Sequence, residues 1–192
     1  MMNNYSQRCL DNHECFRVLL KSMSRPGRIF QLPDTTEANL VTIVFRLLDT
    51  VLDQQVSCCL LDDNKELENQ LKLRTGTHFT NAENADFLLA LSGDSGGKSL
   101  TAKRGQLDFP DEGATILFGV NQLSDSTATT GVRLSGPGIK DNIHPKIGGL
   151  AGQELAWLKE VNAEYPLGID CIFVDLTGQL MCIPRSTRIG AN

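Results

Sequence analysis

The chain has 192 residues, 41% hydrophobic and 21% charged, the balance of one globular domain with a sizeable core. Its net charge of −5 speaks against the basic face of a nucleic-acid scaffold, so no nucleic-acid partner is expected. The start, MMNNYSQRCLDNHECF, has no apolar signal region, and the most apolar stretch, LVTIVFRLLDTVL, is interrupted by Arg46 and Asp49 and too short to span a bilayer; a cytoplasmic location with no membrane partner is expected.

Residues 7–24 predict a helix, with Leu10, Phe16, Leu19, Leu20 and Met23 at helical spacing and Pro26-Gly27 as the stop. RIFQL (28–32) reads as a short strand. Asp34 followed by Glu37 predicts a capped helix start, and Leu40, Val41, Val44, Leu47, Leu48 and Val51 then form a broad apolar stripe. VSCCLL (56–61) is an apolar run expected of a strand buried on both faces. DDNKELENQLKLRT predicts a polar helix closed by Gly76. DFLLALS (86–92) and GATILFGV (113–120) read as strands, NQLSDSTATTG as a polar connection, and VRLS (132–135) as a strand entering the turn SGPGI. Residues 150–164 predict an amphipathic helix, and IDCIFVDL and LMCIP a hairpin across Thr177-Gly178. Strands that alternate with helices and end in a hairpin predict a three-layer α/β sandwich with a mixed sheet, as a single domain over 1–192 with residues 1–6 outside its packed part.

Six cysteines, at 9, 15, 58, 59, 171 and 182, include no C-x-x-C pair, so zinc-knuckle and thioredoxin readings lack their spacing. Cys58, Cys59, Cys171 and Cys182 sit in apolar runs and are expected as buried thiols. Cys9, His13 and Cys15 lie close in sequence, an arrangement more ordinary for a helix than for a metal site.

FLLALSGDSGGKSL (87–100) superimposes two catalytic signatures. As a P-loop it lacks its first glycine, because residue 92 is serine and Gly93 is one place off. Gly105 and Pro110 also leave little room for the helix that would follow. As G-x-S-x-G it presents Ser95 as a hydrolase nucleophile, with His144 as base and Asp125 or Asp111 as orienter. A trypsin-like scaffold does not fit into the residues before Ser95. The ordinary reading is an exposed loop in which Asp94, Ser95 and the glycines supply turn chemistry, with the Ser95 hydrolase as the alternative function.

Five other stretches carry more information: FRVLLKSMSRPGRI (16–29), GQLDFPDEGATI (105–116), VRLSGPGI (132–139), YPLGIDCIFVD (165–175) and LMCIPRSTR (180–188). In this order and spacing they resemble the PhnH family, subunits of the bacterial carbon–phosphorus lyase system for phosphonate degradation. The glycine loop 92–99 and the 121–131 connection are not part of that pattern, and Tyr165 stands where phenylalanine is frequent. The resemblance implies the fold of the large domain of pyridoxal-phosphate transferases without the cofactor, and a homodimer in isolation. It implies a non-catalytic role, beside other subunits, in coupling a phosphonate to the ribose of ATP with release of adenine, giving a ribose 1-phosphonate 5-triphosphate. No catalytic, cofactor-binding or metal residue is assigned. Arg25, Arg185, Arg188, Gly136 and Gly138 are the candidate interface or anion contacts. The two arginines after Pro184 equally suit a solvated basic tail or an interface salt bridge, in which case reversing the charge of Arg25 or Arg185 leaves folding nearly unchanged. Asp170, at a strand start, is expected as a cap or turn ligand.

Overall fold

The computed structural model describes residues 4–35, 39–126 and 131–190. Helix α1 spans Asn4–Met23, strand β1 Phe30–Gln31, α2 Leu40–Leu48, β2 Ser57–Leu60, α3 Lys65–Thr75, β3 His78–Phe79, β4 Phe87–Ala90 and β5 Thr115–Val120. Strands β6 (Gln122–Asp125), β7 (Leu134–Ser135) and β8 (Pro145–Gly148) follow, then α4 (Glu154–Val161), β9 (Asp170–Asp175), β10 (Gln179–Ile183) and β11 (Arg188–Ile189). The fold is mixed α/β, built on a seven-stranded sheet in the order β1-β10-β9-β5-β4-β2-β3. Strands β3, β2, β4, β5 and β9 are mutually parallel, and β10 turns back antiparallel to β9 and β1 antiparallel to β10.

Strand alternation sends side chains into two cores. Ile116, Phe118, Cys171 and Phe173 face one side, with Leu158 and Val161 of α4 and with Leu123, Leu134 and Ile189 of the small ribbons β6–β8 and β7–β11. Leu117, Ile172 and Val174 face the other, under Cys15 and Leu19 of α1, the stripe of α2, and Leu67 and Leu71 of α3. Phe118 and Phe173 stack at 5.3 Å, worth about 0.5–1.5 kcal/mol beyond their area.

Local chemistry sets the element ends. Asn64 caps α3 by accepting from Leu67 N at 3.0 Å, and Gly76 closes it at φ +76°. The start of α2 differs from the expectation at Asp34. Asn39 caps it, accepting from Thr42 N at 2.9 Å, because it stands directly before the apolar stripe and offers the same cap chemistry. Asp34, at φ +50°, instead pairs with Arg46 at 3.5 Å, and Glu37 lies outside the described residues. The connection after β5 is also more ordered than its polarity suggests. Gln122–Asp125 forms β6 against β8, with Leu123 buried, while residues 127–130 lie outside the described set. Strand β8 went unforeseen because its PKIG sequence carries proline, lysine and glycine.

The described cysteines are free thiols: Cys15, Cys58, Cys171 and Cys182 are buried, Cys59 is half-buried and Cys9 is exposed. Burial pushes the Cys58 and Cys182 thiols up to about 12, so both behave as small hydrophobes. Cys9 and Cys15 lie on different faces of α1, one exposed and one buried.

The leading edge of the parallel strands is tied by Asp86, just before β4. Its carboxylate accepts from Ser57 N at 2.7 Å and Ser57 Oγ at 2.6 Å, and it pairs with Lys103. Partial burial pushes its carboxyl up, but the Lys103 ammonium and the Ser57 donors outweigh this and hold it below the usual 3.8. A carboxyl depressed in the folded state stabilises the fold above its unfolded pKa, and that stability is lost as pH falls through the folded value. Stability is therefore expected to fall below about pH 4, with a shallower acid limb in Asp86→Asn. Urea melts from pH 2.5 to 6 check this; parallel acid limbs in the two proteins would contradict it.

Candidate functional site

Arg185 connects three of the sequence stretches singled out above. Its backbone N donates to Asp170 Oδ1 at 2.8 Å, and its guanidinium forks onto the same carboxylate, Nη2 reaching Oδ2 at 2.6 Å. Nη1 donates to the Pro110 carbonyl and Nη2 also to the Gly113 carbonyl at 3.2 Å. The side chain is 12% exposed and that of Asp170 23%. Asp170, foreseen as a cap or turn ligand, is thus the carboxylate half of a largely buried ion pair. Planar, forked recognition suits arginine and not lysine.

The residues after Arg185 wall a cleft of about 710 Å³, whose other side is α4 with the turn at Gly136 and Pro137. Gly136 adopts φ +128°, and a Cβ there would stand 3.0 Å from the Ser186 carbonyl. Gly138 packs away from the cleft, where a Cβ would stand 2.6 Å from the Ser24 carbonyl, on the turn that carries Arg25. Of the candidate contacts, Gly136, Arg185 and Arg188 share this cleft, whereas Gly138 and Arg25 are not among its lining residues. Arg188 and Arg25 are exposed. Lys159, Asn162 and Tyr165 also line the cleft and were not foreseen; Lys159 reads in sequence as an ordinary solvated lysine on the polar face of α4. A cleft of about 1020 Å³, lined by His13, Glu14, Arg17 and Asp34 among others, carries mixed charge.

The glycine loop is exposed at Ser92, Asp94, Gly96 and Lys98, and Asp94 supplies the expected turn chemistry by accepting from Gly96 N at 2.8 Å, but its inner side packs against α4. Ser95 and Ser99 are buried, together with Glu154 of α4. Glu154 accepts from Ser95 N at 2.7 Å and from Ser99 Oγ at 3.2 Å. Ser95 Oγ is bonded to Ser99 Oγ at 3.2 Å and accepts from Ser99 N, and no histidine is among its hydrogen-bond partners. The amides that a phosphate cradle would need are turned inward: Gly93 N to Ala90, Gly96 N to Asp94, Lys98 N to Ser95 and Leu100 N to Gly97. Only a single 3-10 turn, Lys98–Leu100, follows. Among the described non-glycine residues only Asp34 has a positive φ, so Ser95 lacks the strain of a nucleophile elbow. Asp175 is likewise occupied, accepting from Leu123 N and from Thr177 and Gln179 across the hairpin.

Arg185→Ala leaves the Asp170 carboxylate with only the backbone N–H of residue 185 and removes the guanidinium donors from the Pro110 and Gly113 carbonyls, and should cost about 2–4 kcal/mol in urea denaturation. Arg185→Glu should unfold the chain outright, contrary to the expectation from sequence, because the guanidinium is internal; wild-type melting of either variant would contradict this. Ser95 should resist a fluorophosphonate probe in the native protein. Glu154→Ala should destabilise by about 1–3 kcal/mol through the donors it leaves unmet; stoichiometric labelling of Ser95 would restore the hydrolase reading.

Similarity to known proteins can be set beside this geometry. The HtxG protein of Stutzerimonas stutzeri, which carries the description of a C-P lyase subunit, is 32% identical over 179 residues, covering 91% of this chain and 83% of that protein. The family model for the bacterial phosphonate metabolism protein PhnH matches residues 3–190. The stretches that converge on Arg185 and on the Gly136 turn all fall within that match, and the chain belongs to the PhnH family.

Proposed function

We propose that this chain is a non-catalytic subunit of a carbon–phosphorus lyase assembly in the cytoplasm. Its place is the step that joins a phosphonate to the ribose of ATP, displacing adenine and yielding a ribose 1-phosphonate 5-triphosphate. The family match over residues 3–190 carries this reading. The internal use of Ser95, Asp175 and the loop amides supports it, since the groups that mimic an active site are engaged in holding the fold. On this reading the α/β frame, of the kind that serves pyridoxal-phosphate transferases as their large domain, works without a bound cofactor as a scaffold for assembly.

A subunit of this kind acts through its surfaces, and α1 offers one. Leu10, Phe16 and Leu20 are 49%, 42% and 53% exposed on its outer side, and Arg25 lies just beyond its end. An apolar centre with an arginine at the rim is the composition of a protein interface. Alone, the chain forms a homodimer; in the cell this surface meets the other subunits.

Arg25→Glu should reduce co-purification with the partner subunits while leaving the melting temperature nearly unchanged, because an exposed side chain with no partner among the described residues contributes little to stability. Ser95→Ala and Lys98→Ala should preserve growth on methylphosphonate. If the wild-type chain never co-purifies with another subunit, the accessory role falls. If Arg25→Glu assembles normally, the role stands and the contact lies elsewhere.

A further inference from the structure

The cleft beside Arg185 is unusual for its charge. It is lined by Lys159, Arg185 and Arg188, with no aspartate or glutamate among its lining residues, in a chain that carries 23 acidic residues against 18 lysines and arginines. Three other cation-bearing clefts differ: Glu14 and Asp34 accompany Arg17 in the one beside α1, Glu83 and Asp94 accompany Lys98 beside the glycine loop, and Asp49 accompanies Arg74 near α2. Asp170 engages Arg185, but Lys159 and Arg188 have no ion-pair or hydrogen-bond partner among the described residues. Two uncompensated cations facing one concavity repel each other, and the arrangement favours an anion between them.

A second observation points to the same place. Thr187 is 4% exposed, and its Oγ1 is shut from water with no hydrogen-bond partner. An unmet buried hydroxyl is destabilising, because it has given up water without gaining a partner. Thr187 lines this cleft, so turning its hydroxyl by one χ1 rotamer toward a ligand oxygen would relieve that cost. The neighbouring Ser186 adds a second hydroxyl to the lining.

The cleft also adjoins an apolar one. Lys159 and Ile189 line both it and a concavity of about 490 Å³ walled by Val132, Ile147, Leu150 and Leu155, where the only charged residues are Lys146 and Lys159. The combination is a cationic, hydroxyl-bearing end joined to an apolar wall, in the size range of small-molecule sites.

We infer that this double cleft binds a small molecule bearing a phosphoryl dianion on an apolar or ring body, with Lys159 and Arg188 as its charges, Thr187 and Ser186 as its hydrogen-bonding hydroxyls, and Leu150 and Leu155 against the body. The dianion seats between the two cations, and charge-assisted hydrogen bonds from both fix it. The site itself rests on charge, burial and shape; only the choice of phosphorus over another oxyanion rests on the phosphonate reading above.

The test is calorimetric titration of the purified chain with phenylphosphonate and, separately, phenyl phosphate, which distinguish a phosphonate from a phosphate ester. One-to-one binding with Kd below about 1 mM is expected. Lys159→Ala and Arg188→Ala should each weaken it about tenfold, the effect of losing one charge-assisted contact, with unchanged melting curves. Thr187→Val should weaken it by a smaller factor. Preference for one probe identifies the source of the dianion, and equal binding means that the phosphoryl group alone is read. No binding of either probe at 10 mM, or binding that both cation variants retain, overturns the inference. Co-purification of the same two variants with the partner subunits is measured in parallel. If they assemble normally and the wild type binds neither probe, the ligand site fails and the subunit role stands. If the wild type binds neither probe and the variants fail to assemble, the cleft is a contact for an acidic protein surface and the ligand site fails again.

Discussion

The bond between Arg185 and Asp170 is the constraint on which the rest of this end of the molecule depends. It joins the end of the β9–β10 hairpin to the turn that leads into β5, through Pro110 and Gly113. It sets the direction of the chain after Ile183 together with the Thr187 N–H on the Pro184 carbonyl and the pairing of β11 with β7, which seat Ser186 and Thr187 against the Gly136 turn. The guanidinium thus acts as a bracket for the cleft wall, and the uncompensated charges belong to its neighbours Lys159 and Arg188. Fixing one cation inside a carboxylate while leaving two beside it is a way to hold charge at a surface with defined geometry.

The two ends of the parallel strands use their charges in opposite ways. At the leading edge, carboxylates meet cations: Asp86 with Lys103 and Asp170 with Arg185. At the trailing edge, carboxylates meet backbone amides: Asp62 accepts from Leu91 and Ser92, Glu154 from Ser95, and Asp175 from Leu123 and Thr177. Open α/β sheets usually bind ligands in the crevice beyond the trailing edge. In this chain those loops are bound to acidic side chains of the protein itself. Several of the amides there are already engaged by these carboxylates and are not free for an anionic ligand. The cationic cleft lies instead at the leading edge, beside the site of Arg185.

Much of this was legible in the sequence, and the exceptions have physical causes. The helices and main strands follow from periodicity, because runs such as CIFV and TILF bury both faces and leave little ambiguity. The hairpin turn at Gly178 even fixes a register in which Cys171 faces Ile183, so Asp170 and Arg185 were bound to be near one another, though nothing in composition says that the guanidinium turns inward. The short strands β3 and β11 have two residues each, too few for any periodic signal. The burial of the glycine loop depends on Glu154, which lies 59 residues from Ser95 in sequence and reads as a polar helix residue. Its role exists only once α4 has packed on the sheet. The same holds for Lys159, whose significance comes from the absence of acids around it and not from its own identity.

The apolar stripe of α1 and the cationic cleft sit on opposite faces of the sheet, since α1 packs into the core under α2 and α3 while α4 packs into the other. The two surfaces therefore do not compete for space. They are nonetheless joined through backbone. The turn that ends α1 is pinned to β10, with Gly27 N donating to the Cys182 carbonyl at 2.9 Å. Gly138, two residues beyond the Gly136 wall of the cleft, packs directly on Ser24 of that same turn. Both glycines adopt positive φ and have no room for a side chain, so the two turns meet by backbone contact, with little slack for one to move without the other. The stretches that carry the family resemblance are thus joints that hold the exposed face of α1 and the cationic cleft in fixed relation, work for which glycine and proline at the turns and arginine at an internal ion pair are suited.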